Sequence, residues 1–198
     1  MNETTQAFRQ LAEESIDSAL EADPVAATWL GDHRFDDRLP DYSSDALSSR
    51  ARTIDDQLTA IDAVDDVELD VVDLVDLEIL RSRLQREAFE IEELRAAEWN
   101  PMLWNPGTAL HLLLSRDFAP WQERLASIEG RLSDIPRFLE QARTTLLSMP
   151  QIHVETAIGQ LTGTRELISS HIGLQCHEHG SATPESLEAA LDALEKQL

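Results

Sequence analysis

The feature that most constrains this chain is an apolar repeat of three to four residues, which recurs along most of its length. In one stretch the apolar side chains follow at steps of four, three, four and three, from Leu47 through Ala51, Ile54 and Leu58 to Ile61. This spacing places them on one face of a helix and is typical of antiparallel bundles. No segment keeps the two-residue alternation of a half-buried strand. The sequence therefore predicts an all-α fold.

Breaks in the repeat predict a multi-helix bundle of about eight helices in a single domain over residues 1–198. Asp23 and Pro24 suit the N-cap and first position of a second helix, which should stop near Gly31. A long central helix is expected from Leu69 to Glu98, reaching about 45 Å at the helical rise per residue. A helix of that length is typical of the spine of a bundle.

Three further boundaries are predicted in the second half of the chain. Asp134 and Pro136 should end one helix and open the next, because proline suits a first helical turn. Residues 173–183 are expected to form a polar loop. Pro184 should start a last helix, which appears cut at Leu198.

The charge of the chain limits its partners. The sequence has 38 Asp and Glu against 16 Lys and Arg, a net charge of −22. This balance argues against binding to nucleic acid or to an anionic membrane, because both need a basic surface. The N-terminus has no basic and apolar signal pattern, no run approaches a membrane span, and Cys176 is the only cysteine. We therefore expect a soluble cytoplasmic protein, with neither nucleic acid nor a membrane as its partner.

Residues 30–43 have no helical or strand period and mix aromatic residues with charges. Loops of this kind on a rigid scaffold often carry function. His33 could act as a general base or substrate contact, or it could instead fix the loop by hydrogen bonding. A second break, Trp99–Gly107, contains two Asn-Pro pairs and is the best candidate for a small pocket. The predicted substrate-cleft residues are His33, Arg34, Phe35, Tyr42, Trp99, Asn100 and Trp104.

A group of potential metal ligands lies near the C-terminus, but its spacing matches no known structural zinc pattern. His177 and His179 are two residues apart, and on a helix this spacing turns two side chains about 200° away from each other. We expect no metal site and no catalytic residue in this chain, and an ordinary core position for His111, which lies among leucines. The weak metal candidates are His171, Cys176, His177 and His179.

Several motifs together resemble one bacterial family, named domain of unknown function 885, over about residues 7–198. The resemblance covers the N-terminal portion of that family and depends on the order and spacing of the motifs rather than on any one of them. These motifs are Asp23-Pro24, Thr28-x-Leu30-Gly31-x-His33-x-Phe35-Asp36, Leu39-Pro40-Asp41, Trp99-Asn100-Pro101, Arg131-Leu132-x-x-Ile135-Pro136-x-x-Leu139 with Ala142, and Pro150.

The resemblance implies an all-helical zinc metallopeptidase related to the carboxypeptidase-like gluzincins. In such enzymes two histidines of a helical H-E-x-x-H hold zinc, and the glutamate acts as general base. This chain contains no H-E-x-x-H. We therefore expect the chain to be inactive by itself, with zinc as the cofactor of the intact family only. The chain would be a fragment, the product of a truncated gene, or a stand-alone relative that lost the site.

Two functions follow from these observations. The first is a non-catalytic helical portion of a metallopeptidase-like protein, which forms one wall of a peptide-binding cleft. Its partner would be a missing C-terminal catalytic half or a peptide substrate. The second is a free-standing helical interaction or scaffold protein without enzymatic activity. A fragment should expose an apolar patch where its other half docks, whereas a stand-alone protein should have a polar surface or form a homo-oligomer.

Overall fold

The computed structural model of the protein describes residues 2–197, which contain helices and loops but no β-strand. The predicted all-α fold is confirmed, and the described residues form eight continuous helices. Two of these helices continue into a π-helical segment without a break. The helices are α1 (Glu3–Ala22), α2 (Pro24–Leu30), α3 (Ser44–Asp62), α4 (Val71–Phe89, then Glu90–Leu94), α5 (Gly107–Ser115), α6 (Trp121–Thr145), α7 (Gln151–Glu166, then Leu167–Ile172 and Gly173–Glu178) and α8 (Leu187–Glu195).

The chain forms two compact units. The first comprises the chain up to Ala22 together with Tyr42–Ala96, and the second comprises Asp23–Asp41 together with the chain from Ala97 onward. The first unit is therefore discontinuous in sequence. The expectation of a single domain stays a prediction, because the compactness of each unit does not decide whether it folds independently.

The first unit packs α1, α3 and α4 around one apolar core. The predicted seam of α3 supplies Ile54 and Ile61, which are fully buried against leucines of α4. Arg50 of α3 links the three helices, because its guanidinium donates to Glu87 of α4 at 2.6 and 2.8 Å and to the Ser18 hydroxyl of α1 at 2.7 Å. Burial of the aliphatic side chains provides the main stabilisation of this unit.

The second unit is built around α6, which packs against α5 and α8. The buried stripe of α6 includes Ile128, Leu132, Ile135 and Leu139, spaced as a helical face requires. The N-terminal boundary of α2 in this unit is as predicted. The Asp23 carboxylate accepts a hydrogen bond from the Ala26 N–H at 2.9 Å, Pro24 occupies the first turn, and Gly31 ends the helix with a left-handed φ of 91°.

Helix α4 is shorter than the predicted central helix. The α-helical part ends at Phe89, and the following segment stops at Leu94 because Arg95 adopts a left-handed conformation with φ of 48°. A non-glycine residue in that conformation ends a helix, and nothing in the local sequence announces it.

Three other predicted boundaries were wrong. Pro136 does not open a new helix but lies inside α6, since the apolar stripe on either side keeps the helix continuous. The first part of the predicted 173–183 loop is helical instead, as far as Glu178. Gly180, with a left-handed φ of 64°, lies in the turn that follows this helix. The last helix begins at Leu187 rather than at Pro184. The expected cut at Leu198 concerns a residue outside the described range. Within the described range, none of the helices is both long and apolar enough to cross a membrane.

Candidate functional site

The segment between α2 and α3, which the sequence singled out, is held firmly against α6. The Asp134 carboxylate accepts a hydrogen bond from the Leu39 N–H at 3.1 Å, and Arg137 donates to the Pro40 carbonyl at 3.3 Å. Asp41 accepts a further hydrogen bond from the Gln141 amide at 2.8 Å. These hydrogen bonds account for the polar residues of the segment, because they attach it to α6.

Arg131 lies at the centre of this anchorage and is completely buried. Its guanidinium donates to the carbonyls of Arg38 at 3.1 Å, Ala109 at 2.5 Å and Pro24 at 3.3 Å, and to the Thr28 hydroxyl at 2.6 Å. Burial lowers the pKa of Arg131 to about 10 against the opposing effect of nearby carboxylates. Arg131 therefore remains a cation at neutral pH and joins α2, α5, α6 and the loop.

Asp36 carries the negative charge of the same network and is almost fully buried. One of its oxygens lies 2.6 Å from the Thr28 hydroxyl and 3.9 Å from Arg131, and the other accepts from His33 Nδ1 at 2.8 Å. The His33 ring stacks on Phe118 with ring centres 3.7 Å apart. Of the two roles considered for His33, this geometry favours fixation of the loop.

The other predicted cleft residues of the loop lie in different environments. Arg34 is held by Asp32 through bonds of 2.7 to 3.0 Å, which lower the pKa of that carboxyl. Phe35 is buried and therefore offers little surface to a ligand. Tyr42 is half-buried and belongs to the first unit, whereas His33, Arg34 and Phe35 belong to the second.

The residues predicted from the second break mostly have structural contacts. Trp104 is 2% exposed, and its indole N–H donates to the Ala97 carbonyl at 3.1 Å. The Asn100 carboxamide oxygen accepts from the Met102 N–H at 3.1 Å and so caps the short turn that follows. Trp99 is half-buried, with its ring centre 5.5 Å from that of His153.

The weak metal candidates are not brought together by the structure. Cys176 is buried, and burial raises the pKa of its thiol, whereas His171 and His177 are exposed at other angles around α7. His179 stacks on Trp121 with ring centres 4.7 Å apart. Among residues 2–197 no three His, Cys, Asp or Glu side chains form a group that could hold a metal ion. The described residues thus do not fit the zinc that the resemblance implies.

One candidate site in the second unit is an open groove of about 550 Å³ between α5 and α7. Its volume falls within the roughly 300–1,000 Å³ typical of ligand sites. One wall comes from α5 and the break before it, and the other from one face of α7. The residues that line this α5–α7 groove are Met102, Asn105, Gly107, Thr108, His111, Gln160, Gly163, Thr164 and Leu167.

A small hydrogen-bonded unit fixes the floor of the α5–α7 groove. The Asn105 side-chain oxygen accepts from the Gly107 N–H at 2.9 Å and lies 2.7 Å from the Thr164 hydroxyl. Gly107 is required there, because a Cβ atom at that position would collide with the Thr164 hydroxyl. The Asn105 amide nitrogen, by contrast, has no hydrogen-bond partner among the residues that the structure describes. The groove thus combines a hydrogen-bonded floor with an amide nitrogen that makes no hydrogen bond to the described residues.

His111 is the clearest residue that the sequence interpretation missed. It is exposed and lines the groove, so the expected core position was wrong. The helical repeat could have predicted this position. Leu110 and Leu113 form the buried face of α5, whereas Thr108 and His111 lie three residues apart on the opposite face. The side chains of His111 and Gln160 have no hydrogen-bond partner within residues 2–197.

The sequence profile of a family described as "Bacterial protein of unknown function (DUF885)" matches residues 24–198. The chain belongs to the DUF885 family. The predicted family is thereby confirmed, while the description gives no activity, so membership of DUF885 by itself assigns neither peptidase chemistry nor zinc.

Among solved structures, a protein from Shewanella oneidensis described as "a putative lipoprotein of unknown function" has a TM-score of 0.85 at 21% sequence identity. The similarity covers 96% of this DUF885 chain and 35% of that protein, so this chain spans about a third of its length. At this identity the likeness shows the fold alone. No curated protein matches the chain.

Proposed function

We propose that this chain is the non-catalytic helical portion of a metallopeptidase-like protein and that the α5–α7 groove forms one wall of its peptide-binding cleft. The observation that carries the proposal is the groove, with its fixed floor and its unpaired polar side chains. The metallopeptidase-like character of the intact protein is taken from the resemblance of the sequence motifs alone. The absence of H-E-x-x-H from the sequence supports a binding rather than a catalytic role.

The proposed wall overlaps only in part with the cleft expected from the sequence, which included the 30–43 loop and the Trp99–Gly107 break. The break at Trp99–Gly107 supplies Met102, Asn105 and Gly107 to the groove. The loop at 30–43 is not part of it, and its contacts with α6 support a structural role. The cytoplasmic location belongs to this proposal as well and stays a prediction.

Peptide hydrolysis and zinc content test the non-catalytic role. The purified chain, incubated with a mixture of fluorogenic peptides and with added zinc, should release no more product than the same mixture with a chelator. Elemental analysis should find no stoichiometric zinc. Chelator-sensitive cleavage, or about one zinc per chain, would contradict the proposal.

The gene sequence beyond the codon for Leu198 tests the fragment interpretation. An H-E-x-x-H encoded downstream, in frame or in an adjacent frame, would support a lost or separate catalytic half. A stop codon followed by unrelated sequence, together with a monodisperse 198-residue product, would contradict it.

The second candidate, the free-standing interaction protein, would use the exposed aliphatic face on α4 as a homo-oligomer interface, whereas in a fragment the same face would receive the other half. Val71, Val72, Val75 and Ile79 lie within the first turns of this helix, and each is more than half exposed. Apolar side chains that cluster on a surface often mark an interface. Light scattering should then show a dimer that Val75→Glu dissociates and that Asp76→Glu, the matched control, leaves intact. A monomer at all concentrations would argue against this candidate.

A further inference from the structure

We propose that the α5–α7 groove binds an extended, uncharged peptide segment, chiefly through the backbone of that peptide. This inference rests on the proposed cleft-wall function and specifies the class of ligand. Three properties of the groove lead to it: its lack of charge, its mixture of hydrogen-bond donors and acceptors, and its open glycine on α7.

The first property is the lack of formal charge. No Asp, Glu, Lys or Arg lines the groove, although 27% of the residues of the chain are charged. A charged ligand bound there would gain no partner of opposite charge for any hydration that it gave up, which is unfavourable. The ligand that fits is therefore neutral where it contacts the groove.

The second property is the hydrogen-bonding capacity of the walls. Asn105 and Gln160 carry carboxamides, Thr108 a hydroxyl and His111 an imidazole, and each of these groups can pair with a donor or an acceptor. A peptide backbone offers N–H and C=O groups alternately along its length, which suits such a set. Leu167 adds an apolar contact for a peptide side chain.

The lining also distinguishes a peptide from a neutral sugar. Sugar rings have flat C–H faces that pack well on aromatic rings. No Trp, Tyr or Phe lines the groove, and His111 is its one ring. The lining therefore favours a peptide backbone over a carbohydrate.

The third property is Gly163, which lines the groove on the α7 wall. A Cβ atom at this position would meet no other atom within 4 Å, so open space lies above the glycine. A glycine inside a helix costs about 1 kcal/mol relative to alanine, and no neighbour in the described structure requires it. Gly159 and Gly173 have the same open space, so Gly163 is distinguished by its place in the lining, where a ligand backbone can approach α7 closely.

The test is NMR titration of the isotope-labelled chain with an acetylated and amidated tetrapeptide of alanine and leucine. We expect saturable shifts of the Gly107, Gly163 and Thr164 amide signals. Gly163→Leu should fill the groove and weaken binding by at least about tenfold. Gly173→Leu is the matched control, because it also lies on α7 with open space around it but does not line the groove. It should leave the affinity unchanged.

Two further probes separate the ways in which the inference could fail. A blocked tetrapeptide with two glutamates should bind more weakly than the neutral one, and cellotetraose should not shift the groove signals. Shifts with cellotetraose alone would overturn the peptide assignment while leaving the groove as a binding wall. No shift with any probe, or unchanged binding by Gly163→Leu, would overturn the groove itself. Circular dichroism melting of both leucine variants verifies that they fold.

Discussion

At the scale of single residues, the second unit depends on a buried charge pair that the sequence does not reveal. Arg131 and Asp36 are both buried, and each is surrounded by hydrogen bonds that satisfy it. Such a pair contributes little net stability compared with apolar residues, yet the loss of one member leaves the other uncompensated. The loop before α3 is therefore strongly coupled to α6.

Substitution Arg131→Met should lower the free energy of unfolding by about 3–5 kcal/mol, because it leaves Asp36 and several carbonyls buried without their donor. Urea denaturation followed by circular dichroism measures the change. Arg143→Met is a matched control on the same helix, since among residues 2–197 the ion pair of Arg143 is with an exposed Glu140 at 3.8 Å. It should cost about 1 kcal/mol or less. Equal losses for the two variants would show that the buried network is not the cause.

Gly130 illustrates a requirement of close approach. A Cβ atom there would lie 2.7 Å from the Asp37 carbonyl oxygen. Gly130→Ala should therefore destabilise the protein by about 1–3 kcal/mol, despite the better helix propensity of alanine. Gly159→Ala, at an open position of α7, should instead stabilise it by roughly 0.5–1 kcal/mol. The melting temperatures of both variants test these expectations. A higher melting temperature for Gly130→Ala than for the native chain would contradict the steric argument.

At the scale of the elements, helix α4 shows how an N-cap responds to pH. The Asp70 carboxylate accepts hydrogen bonds from the N–H groups of Asp73 and Val72, each at 2.9 Å, and these bonds lower the pKa of Asp70. A carboxyl with a lowered pKa in the folded state stabilises the protein above its ordinary pKa. That contribution is lost as the pH falls through the folded-state pKa.

The variant Asp70→Ala should therefore unfold at a lower urea concentration than the native chain at about pH 7, with the difference narrowing toward about pH 3. Asp70→Asn keeps a side-chain acceptor and should lose less at neutral pH. A difference that widens on acidification would mean that the carboxylate does not stabilise the folded state.

The helices themselves were largely predictable, because their apolar stripes and caps are local. The seam of α3 and the Asp23–Gly31 boundaries of α2 follow from spacing and capping alone. The errors arose where packing outweighs local signals. Pro136 stays inside α6 since that helix is buried on both sides of it, and the region around Cys176 is helical because Ile172 and Cys176 face the core.

The candidate site was less predictable than the fold. The α5–α7 groove depends on the approach of two helices that are distant in sequence, which spacing within one helix cannot give. His111 could have been placed by the helical repeat. Asn105 and Gly163 could not, because the role of each depends on its counterpart across the groove.

At the scale of the whole molecule, the net charge of −22 is the dominant feature. Each unit has its own apolar core, and the family match from 24 to 198 includes residues of both. Acidic residues outnumber basic ones by 38 to 16, so most of the negative charge is not balanced within the chain. Repulsion among them opposes the compact state.

Salt should therefore stabilise the chain. We expect the melting temperature to rise between about 20 mM and about 500 mM NaCl, because counterions screen the repulsion. KCl at equal ionic strength should give the same rise, since screening does not depend on which monovalent cation is present. A melting temperature that falls with added salt would show that attractive ion pairs outweigh the repulsion.

The burial of Cys176 has a practical consequence. Its thiol is 1% exposed, and burial raises its pKa, which disfavours the reactive thiolate while α7 is in place. A thiol reagent can therefore modify the native chain only in the moments when this part of the second unit opens. The rate of labelling therefore measures how often that opening occurs. The chain has a single cysteine, so no probe needs to be introduced.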